Sequence, residues 1–545
     1  MKYNDKIKHF GLLCLFSLAW IGCTDWDDHY GVDEQNVASD KTLWEEIDSR
    51  AELKHFKEFL ELYGYKEMLN SSQMYTVFAP IGQIDTTGIG SSEEKIKTEV
   101  IENHIARFAH SANSATNNKP EVVMLNSKPI SFMQVGDGYV FGESKLTKDY
   151  NIRTKNGVLH VIEGQQSFFH NIWEYLTTST RFDNIRNYLY SFNDTILDED
   201  KSVKGEINEN GQQEYLDSVV YVYNSLLYSL GELNNEDSTY TMIVPTNEAW
   251  EKAYKRIKPY FKYPTTLYNQ YESKVASEKR DSLCNYYTNL NIVRDLVFSH
   301  ARLQSLEDSL ISTTGGVFKK PYDYILSGDC VLPGDSGYAV CSNGDVFLVN
   351  ELKHNPWDSW HKTIKVEAER ANALEYEPTT SNYQYYNRTL ANTDTLYAKV
   401  SNASYIEVRP SSAIAVPKVV FNVWNTLAGK YDVKVVFLPQ TLVARGGGIK
   451  PNKFTAKYQC FSPKSGAWVN DQDLLRIEGN NVIFDFFNDP YVVDTVTLGT
   501  VDLGRCTYGQ DILGFKLELH YPSSGSDDYS TTFLIDCVIL EPSKE

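Results

Sequence analysis

Residues Tyr240–Trp250 read YTMIVPTNEAW, and Tyr75–Ile84 read YTVFAPIGQI. In each, a tyrosine and a threonine lead into three apolar residues and then a proline. That run fits a buried strand halted where the backbone loses a donor. After Pro245, either Thr246 or Asn247 can cap a helix, with Glu248 and Glu251 near its positive end. After Pro80 the chain continues Ile81-Gly82-Gln83, where the capping pattern is eroded. The two stretches are copies of one plan, the second better preserved.

Working outward, Leu53, Phe56, Leu60 and Tyr63 are spaced 3, 4 and 3 apart, which puts them on one apolar helical face. Phe182, Ile185, Leu189 and Phe192 repeat the spacing at a constant offset of 129 (182 − 53, 185 − 56, 189 − 60, 192 − 63). Trp173 stands at the same offset from Trp44. A gapless match of this kind is an internal repeat. From Pro80 to Pro245 the offset is 165, so the second copy carries 36 extra residues (165 − 129), most of them supplied by the acidic Asn193–Ser218, which reads as a surface loop. Phe108-Ala109-His110 aligns with Phe298-Ser299-His300 at 190, with the further insertion around Tyr260–Arg280. Asn156-Gly157 and Asn343-Gly344 each precede alternating apolar residues and read as hairpin turns feeding a closing strand.

A helix, a strand ending in Val244-Pro245-Thr246-Asn247-Glu248-Ala249-Trp250, an aromatic-X-His segment and a closing Asn-Gly strand together resemble the fasciclin domain. The resemblance implies two fasciclin-like α+β domains, 42–166 and 170–353, the second with insertions. It also implies adhesion to a protein or cell surface, to which the aromatic-His segment is linked in animal members. On their residues alone, His110 and His300 fit hydrogen-bonded core histidines.

After His354 the pattern changes to strands. NPWDSWH (355–361) is a junction, and Ile364, Val366 and Ala368 then alternate with Lys365, Glu367 and Glu369. Similar alternation around Tyr431–Phe437 and Phe515–Tyr521, with Gly, Pro and Ser turns, predicts an all-β, jelly-roll-like sandwich over 355–545. Val-Glu-Ala-Glu at 366–369 and the Asp in the closing FLIDCVILEP loosely resemble carbohydrate-binding modules. That resemblance implies a structural calcium held by Glu367, Glu369 and Asp536, whose hard oxygens suit the ion. A salt-bridged sheet face accounts for the same residues. Trp424 and Tyr405 are the candidate ligand contacts; Tyr431 shares parity with Val433 and Val435 and reads as core.

The N-terminus carries Lys2, Lys6 and Lys8 before Phe10–Ile21, an apolar run short for a membrane span and suited to a secretory signal over 1–22. Gly22-Cys23 resembles the lipobox of bacterial lipoproteins, which implies acylation of Cys23 and attachment to the outer membrane through that lipid. Residues 23–41 form an acidic tether. Asp25, Asp27 and Asp28 resemble the surface-export signal of Bacteroidota lipoproteins, which implies a lipid-anchored protein facing the exterior.

A formal charge of −20 repels phosphate backbones and argues against nucleic acid as a partner. The cysteines past Cys23 show no CxxC spacing, so zinc and redox motifs are absent. Cys330 and Cys341, across a Pro-Gly turn, are the candidate disulfide. HExxH, GxSxG, Walker A and dinucleotide fingerprints are missing, and GDSG at 334–337 lacks the sequence context of a serine protease. These readings converge on a non-enzymatic, surface-anchored binding or adhesion lipoprotein. The alternative is an accessory glycan-binding lipoprotein of an outer-membrane polysaccharide uptake system, with the sandwich as its sugar-binding module.

Overall fold

A computed structural model describes residues 39–112, 121–208, 210–264, 277–299, 309–315, 317–319, 332, 337–375, 383–412, 415–443, 448–510, 512–521 and 528–544. The chain divides into two compact units. One is Met1–Tyr175 with Leu233–Thr239 and Val340–Gly344; the other is Leu176–Glu232 with Tyr240–Ala339 and Asp345–Glu545. Among the described residues, no helix is long and apolar enough to cross a membrane.

In the first unit, Tyr75–Pro80 is buried along its whole length. It pairs parallel with Gly157–Ile162 and antiparallel with Ile105–Arg107. The proline ends the strand, and the next donor, Ile81 N–H, closes the ladder on Ile162 O at 3.0 Å. Helix Leu43–Asp48 starts at Thr42, which forms a capping box: its Oγ1 accepts Glu45 N–H, and Glu45 accepts Thr42 N–H in return. Leu53, Phe56 and Leu60 are fully buried against this sheet, as their spacing predicts. After Pro80 there is no helix until Glu93, so the eroded cap has cost this copy its helix.

The Asn-Gly pairs sit at hairpin turns that feed closing strands, as read in the sequence, and the asparagine does more than turn the chain. Lys155 and Asn156 make the turn, and Gly157 already begins the strand. Asn156 is buried and ties three backbone groups together: it accepts from Leu43 N–H (2.8 Å) and donates to Leu69 O (2.8 Å) and Ser71 O (2.7 Å). Gly157 is required because a Cβ there would sit 1.9 Å from Tyr75 O, at φ +153. Asn343 repeats the arrangement, accepting from Ile172 N–H and donating to Leu233 O and Asn235 O. Lys128 is also buried in this unit, with Glu174 and Glu236 each 2.6 Å from its Nζ.

The second α+β region has a sheet of the same order, Tyr240–Pro245 running between Val297–Ser299 and Gly344–Val349. Helix Asn247–Ile257 follows at once, and the cap is Thr246, whose Oγ1 accepts Ala249 N–H. Asn247 instead bridges to an earlier segment, accepting from Asn184 N–H and donating to Thr180 O. The segment read as a surface loop is a protruding ribbon. Asn193–Leu197 pairs with Val220–Asn224, and Val203–Ile207 with Gln213–Asp217. Alternating Val-Tyr-Val-Tyr at 220–223 has the β-branched and aromatic character of a strand, even with all four side chains exposed.

Two sheets form the C-terminal sandwich. One contains Tyr383–Thr389, Ser404–Pro410, Phe533–Pro542, Gly429–Phe437 and Asp494–Leu503 in that order, with Ile364–Glu367 also on Phe533–Pro542. The other is Lys418–Trp424, Leu513–His520, Lys453–Cys460 and Gln472–Asp473, with Phe486–Phe487 alongside. Their facing side chains make one core, which includes the fully buried Tyr431. Residues 355–361 are a packed joint. Buried Asp295 accepts hydrogen bonds from Ser312, Thr314 and Ser359, and the joint is reinforced by Ala428 N–H to Tyr260 O and Cys506 N–H to Lys262 O.

Candidate functional site

In the first domain the aromatic-X-His segment leaves the sheet edge at Arg107 and wraps around the buried hydroxyl of Thr76. Thr76 Oγ1 donates to Phe108 O (2.8 Å) and accepts His110 N–H (2.8 Å), while Phe108 N–H donates to Met74 O (2.9 Å). Clamped on both sides, Phe108 adopts φ +66, a region that bulky residues rarely enter. Its ring is 72% exposed. His110 turns its side chain back, with Nε2 2.9 Å from Arg107 O, and its carbonyl accepts from His160 Nε2 (2.8 Å). His160 is fully buried against Phe78, and burial pushes its pKa down to about 4. The histidines are therefore structural, and the phenylalanine is the group delivered to solvent.

The second copy does not repeat this. Thr76 pairs with Ala106, and Thr241 pairs with Phe298, so the true offset here is 192 (298 − 106), not 190. Phe298 is buried in its strand. His300, like Cys23, Asp25, Asp27, Asp28 and Cys330, lies outside the described residues, so the Cys330–Cys341 pairing does too. Among the described residues Cys460, Cys506 and Cys537 are buried free thiols.

On the sandwich, Glu367 ends its first strand and Asp536 lies in its closing one. Ligand atoms of Glu367, Asp536 and Cys537 all fall within 4.8 Å of one another. Ser401 N–H donates to both Asp536 oxygens (3.2 Å each), and Ser401 Oγ–H donates to Glu367 Oε1 (2.7 Å). Asn402 Nδ2 donates to Glu369 Oε1 (3.2 Å). The loop carrying these donors puts Asn402 and Ala403 at φ +51 and +49, a region that asparagine tolerates and alanine rarely enters. Burial, with Glu367 and Glu369 adding repulsion, pushes the Asp536 carboxyl up to about 6. Glu367 Oε2 and Glu369 Oε2 are buried without a hydrogen-bond partner. Lys365, 3.4 Å from Glu367 Oε1, neutralises part of the charge. Hard oxygens left unsatisfied beside a reluctantly ionised carboxyl fit a divalent cation such as calcium. Burial pushes the neighbouring Cys537 thiol up, and a hard cation prefers the carboxylate oxygens to that soft sulfur.

Tyr405 is buried in a small cluster with Leu390, Leu438 and Leu534, so it offers no open stacking face and is corrected to a packing residue. Trp424 ends its strand half-buried, its Nε1 enclosed without a partner. The open aromatic surface is elsewhere. Phe487 is 47% exposed, its ring is 5.7 Å from that of Tyr529, and Lys453 Nζ lies 5.8 Å from both. The signal for it was the pair Phe486-Phe487: a strand must send neighbours to opposite faces, and Phe486 is the one in the core.

Residues 51–164 match the family model of the fasciclin domain, and the chain carries that domain there. Among solved structures, a FAS1 domain pair from the insect cell adhesion molecule fasciclin I is 12% identical, covering 56% of this chain and 98% of that one at a TM-score of 0.21. A family 35 carbohydrate-binding module from Clostridium thermocellum is 12% identical, covering 33% and 99% at 0.18. A Podospora anserina GH26-CBM35 β-(1,4)-mannanase is 13% identical, covering 34% of this chain and 28% of that one at 0.18. At these values the likenesses transfer no function. No curated protein matches the chain.

Proposed function

We propose that this is a non-enzymatic, surface-anchored binding lipoprotein. In this reading it is lipid-anchored at Cys23 in the outer membrane, faces the exterior, and contacts a protein or cell-surface partner through its fasciclin domain. Residues 170–353 are then a second copy of that domain, and the sandwich is a third binding or spacing module. The observation that carries the reading is Phe108. A non-glycine residue held at positive φ costs about 1–3 kcal/mol, and an exposed ring recovers none of that through burial. Strain kept at an exposed aromatic belongs to a contact site.

Cells displaying the full chain should adhere to a partner-coated surface or to one another, and Phe108→Ser should lower that adhesion about tenfold or more. The same variant should be as stable as the parent, or more so. Undiminished adhesion with Phe108→Ser overturns the assignment of this segment.

A second reading, glycan capture by the sandwich, is supported by the Glu367, Glu369 and Asp536 cluster, which we propose holds a structural calcium. Its ligand surface would be Phe487 and Tyr529 with Lys453, an aromatic face beside a cation.

A further inference from the structure

Helix Asn247–Ile257, the turn Lys258–Phe261 and helix Ser277–Val293 line an open cleft of about 520 Å³. Its lining includes Lys255, Lys258 and Lys262 together with Tyr254, Pro259 and Cys284. In a chain with 72 acidic and 52 basic residues, lysines ordinarily find carboxylates, as Lys252 does with Glu248 on the same helix (2.8 Å). Lys255, Lys258 and Lys262 form no ion pair among the described residues. The one acidic lining residue, Glu251, accepts from Asn184 Nδ2 (3.4 Å).

The cleft is also partly preorganised. Tyr254 Oη donates to Asn285 Oδ1 (2.5 Å), and Lys258 Nζ donates to Tyr254 Oη (3.1 Å), 4.9 Å above that ring. The hydrogen bond to Tyr254 raises the Lys258 pKa, so its charge is secure. Tyr254 and Pro259 add flat apolar surface between the ammonium groups.

We propose that this cleft binds an acidic saccharide, with a uronate carboxylate or sulfate ester on the lysines and the sugar's apolar face on Tyr254 and Pro259. The volume lies within the roughly 300–1,000 Å³ of small-ligand pockets. Lysine ammoniums are point charges that accept either oxyanion without a fixed fork geometry. The chain's overall negative field is screened beyond about 8 Å at physiological salt, so a short ligand meets mainly the local lysines. This site is in a different domain from Phe108 and does not depend on it.

Cys284, half-buried in the lining, is the reporter. The full chain is labelled with a maleimide while trigalacturonate, its methyl ester, a chondroitin sulfate disaccharide or triglutamate is present, and modification of Cys284 is followed by peptide mass spectrometry. With trigalacturonate or the sulfated disaccharide at about ten times its Kd, labelling should slow about tenfold. Whichever protects identifies the oxyanion. Gln at all three lysines should weaken protection about tenfold, and Arg at all three should keep it. All three lysines are exposed, so these variants fold. Protection by neither acidic sugar, equal protection by the methyl ester or by triglutamate, or protection unaltered in the Gln variant would each overturn the proposal.

Discussion

Asn156 holds the start of a helix, the end of the following helical segment and the closing strand in a single side chain, and Asn343 does the same for its own copy. Replacing either with alanine strands one buried backbone donor and two acceptors. We expect Asn156→Ala and Asn343→Ala each to lower stability by about 2–4 kcal/mol, measured by denaturant unfolding of the full chain. A loss under about 1 kcal/mol at either position would mean that the clamp is not shared by the two copies. The sequence marked both residues as hairpin turns, because Asn-Gly is a strong turn signal, and both do stand in turns. Only the tertiary contacts show that Asn is chosen for three hydrogen bonds and Gly for closeness to a neighbouring strand. Phe108 was quoted for its motif, yet its exposure depends on Thr76 and Met74, more than thirty residues away.

Strands announced by apolar runs ended by proline were legible, and so was the capped helix after Pro245, since those signals are local. The ribbon at 193–224 was not, because an acidic, Gly- and Asn-containing segment reads as loop when no apolar face is buried. Glu367, Glu369 and Asp536 were named together from a resemblance to carbohydrate-binding modules; the structure brings Glu367 and Asp536 together with Cys537, and the loop 401–403 that donates to them was not legible, since its donors are ordinary Ser and Asn. The cluster gives a signed pH dependence. Asp536 has a folded-state pKa of about 6, above its ordinary 3.8, so the unfolded chain gives up the proton first. This carboxyl's contribution therefore falls as pH rises from about 4 through about 6 and is level above that. A cation can take the place of the lost proton. Calcium about a hundredfold above its Kd should stabilise the chain by about 2–3 kcal/mol near pH 7.5 and far less near pH 4.5. Asp536→Asn should abolish the calcium response and, without calcium, melt higher than the parent near neutral pH. An equal calcium shift at both pH values, or one that survives Asp536→Asn, would contradict this assignment.

At the scale of the whole molecule, the anchor proposed at Cys23 would hold the chain on a membrane, and the strained, exposed Phe108 of the fasciclin domain would make the contact. Buried Asp295 holds Ser359 of the junction, and Ala428 and Cys506 of the sandwich donate to Tyr260 and Lys262 of the second α+β region. The anchor and the contact can be tested together on living cells. Intact cells displaying the full chain are shaved with protease, and adhesion is compared before and after, alongside cells carrying Cys23→Ser. The account predicts that shaving removes the protein and the adhesion together, and that Cys23→Ser releases the chain from the membrane fraction and leaves cells non-adherent. A chain that stays protected on intact cells, or adhesion that persists after its removal, would contradict it.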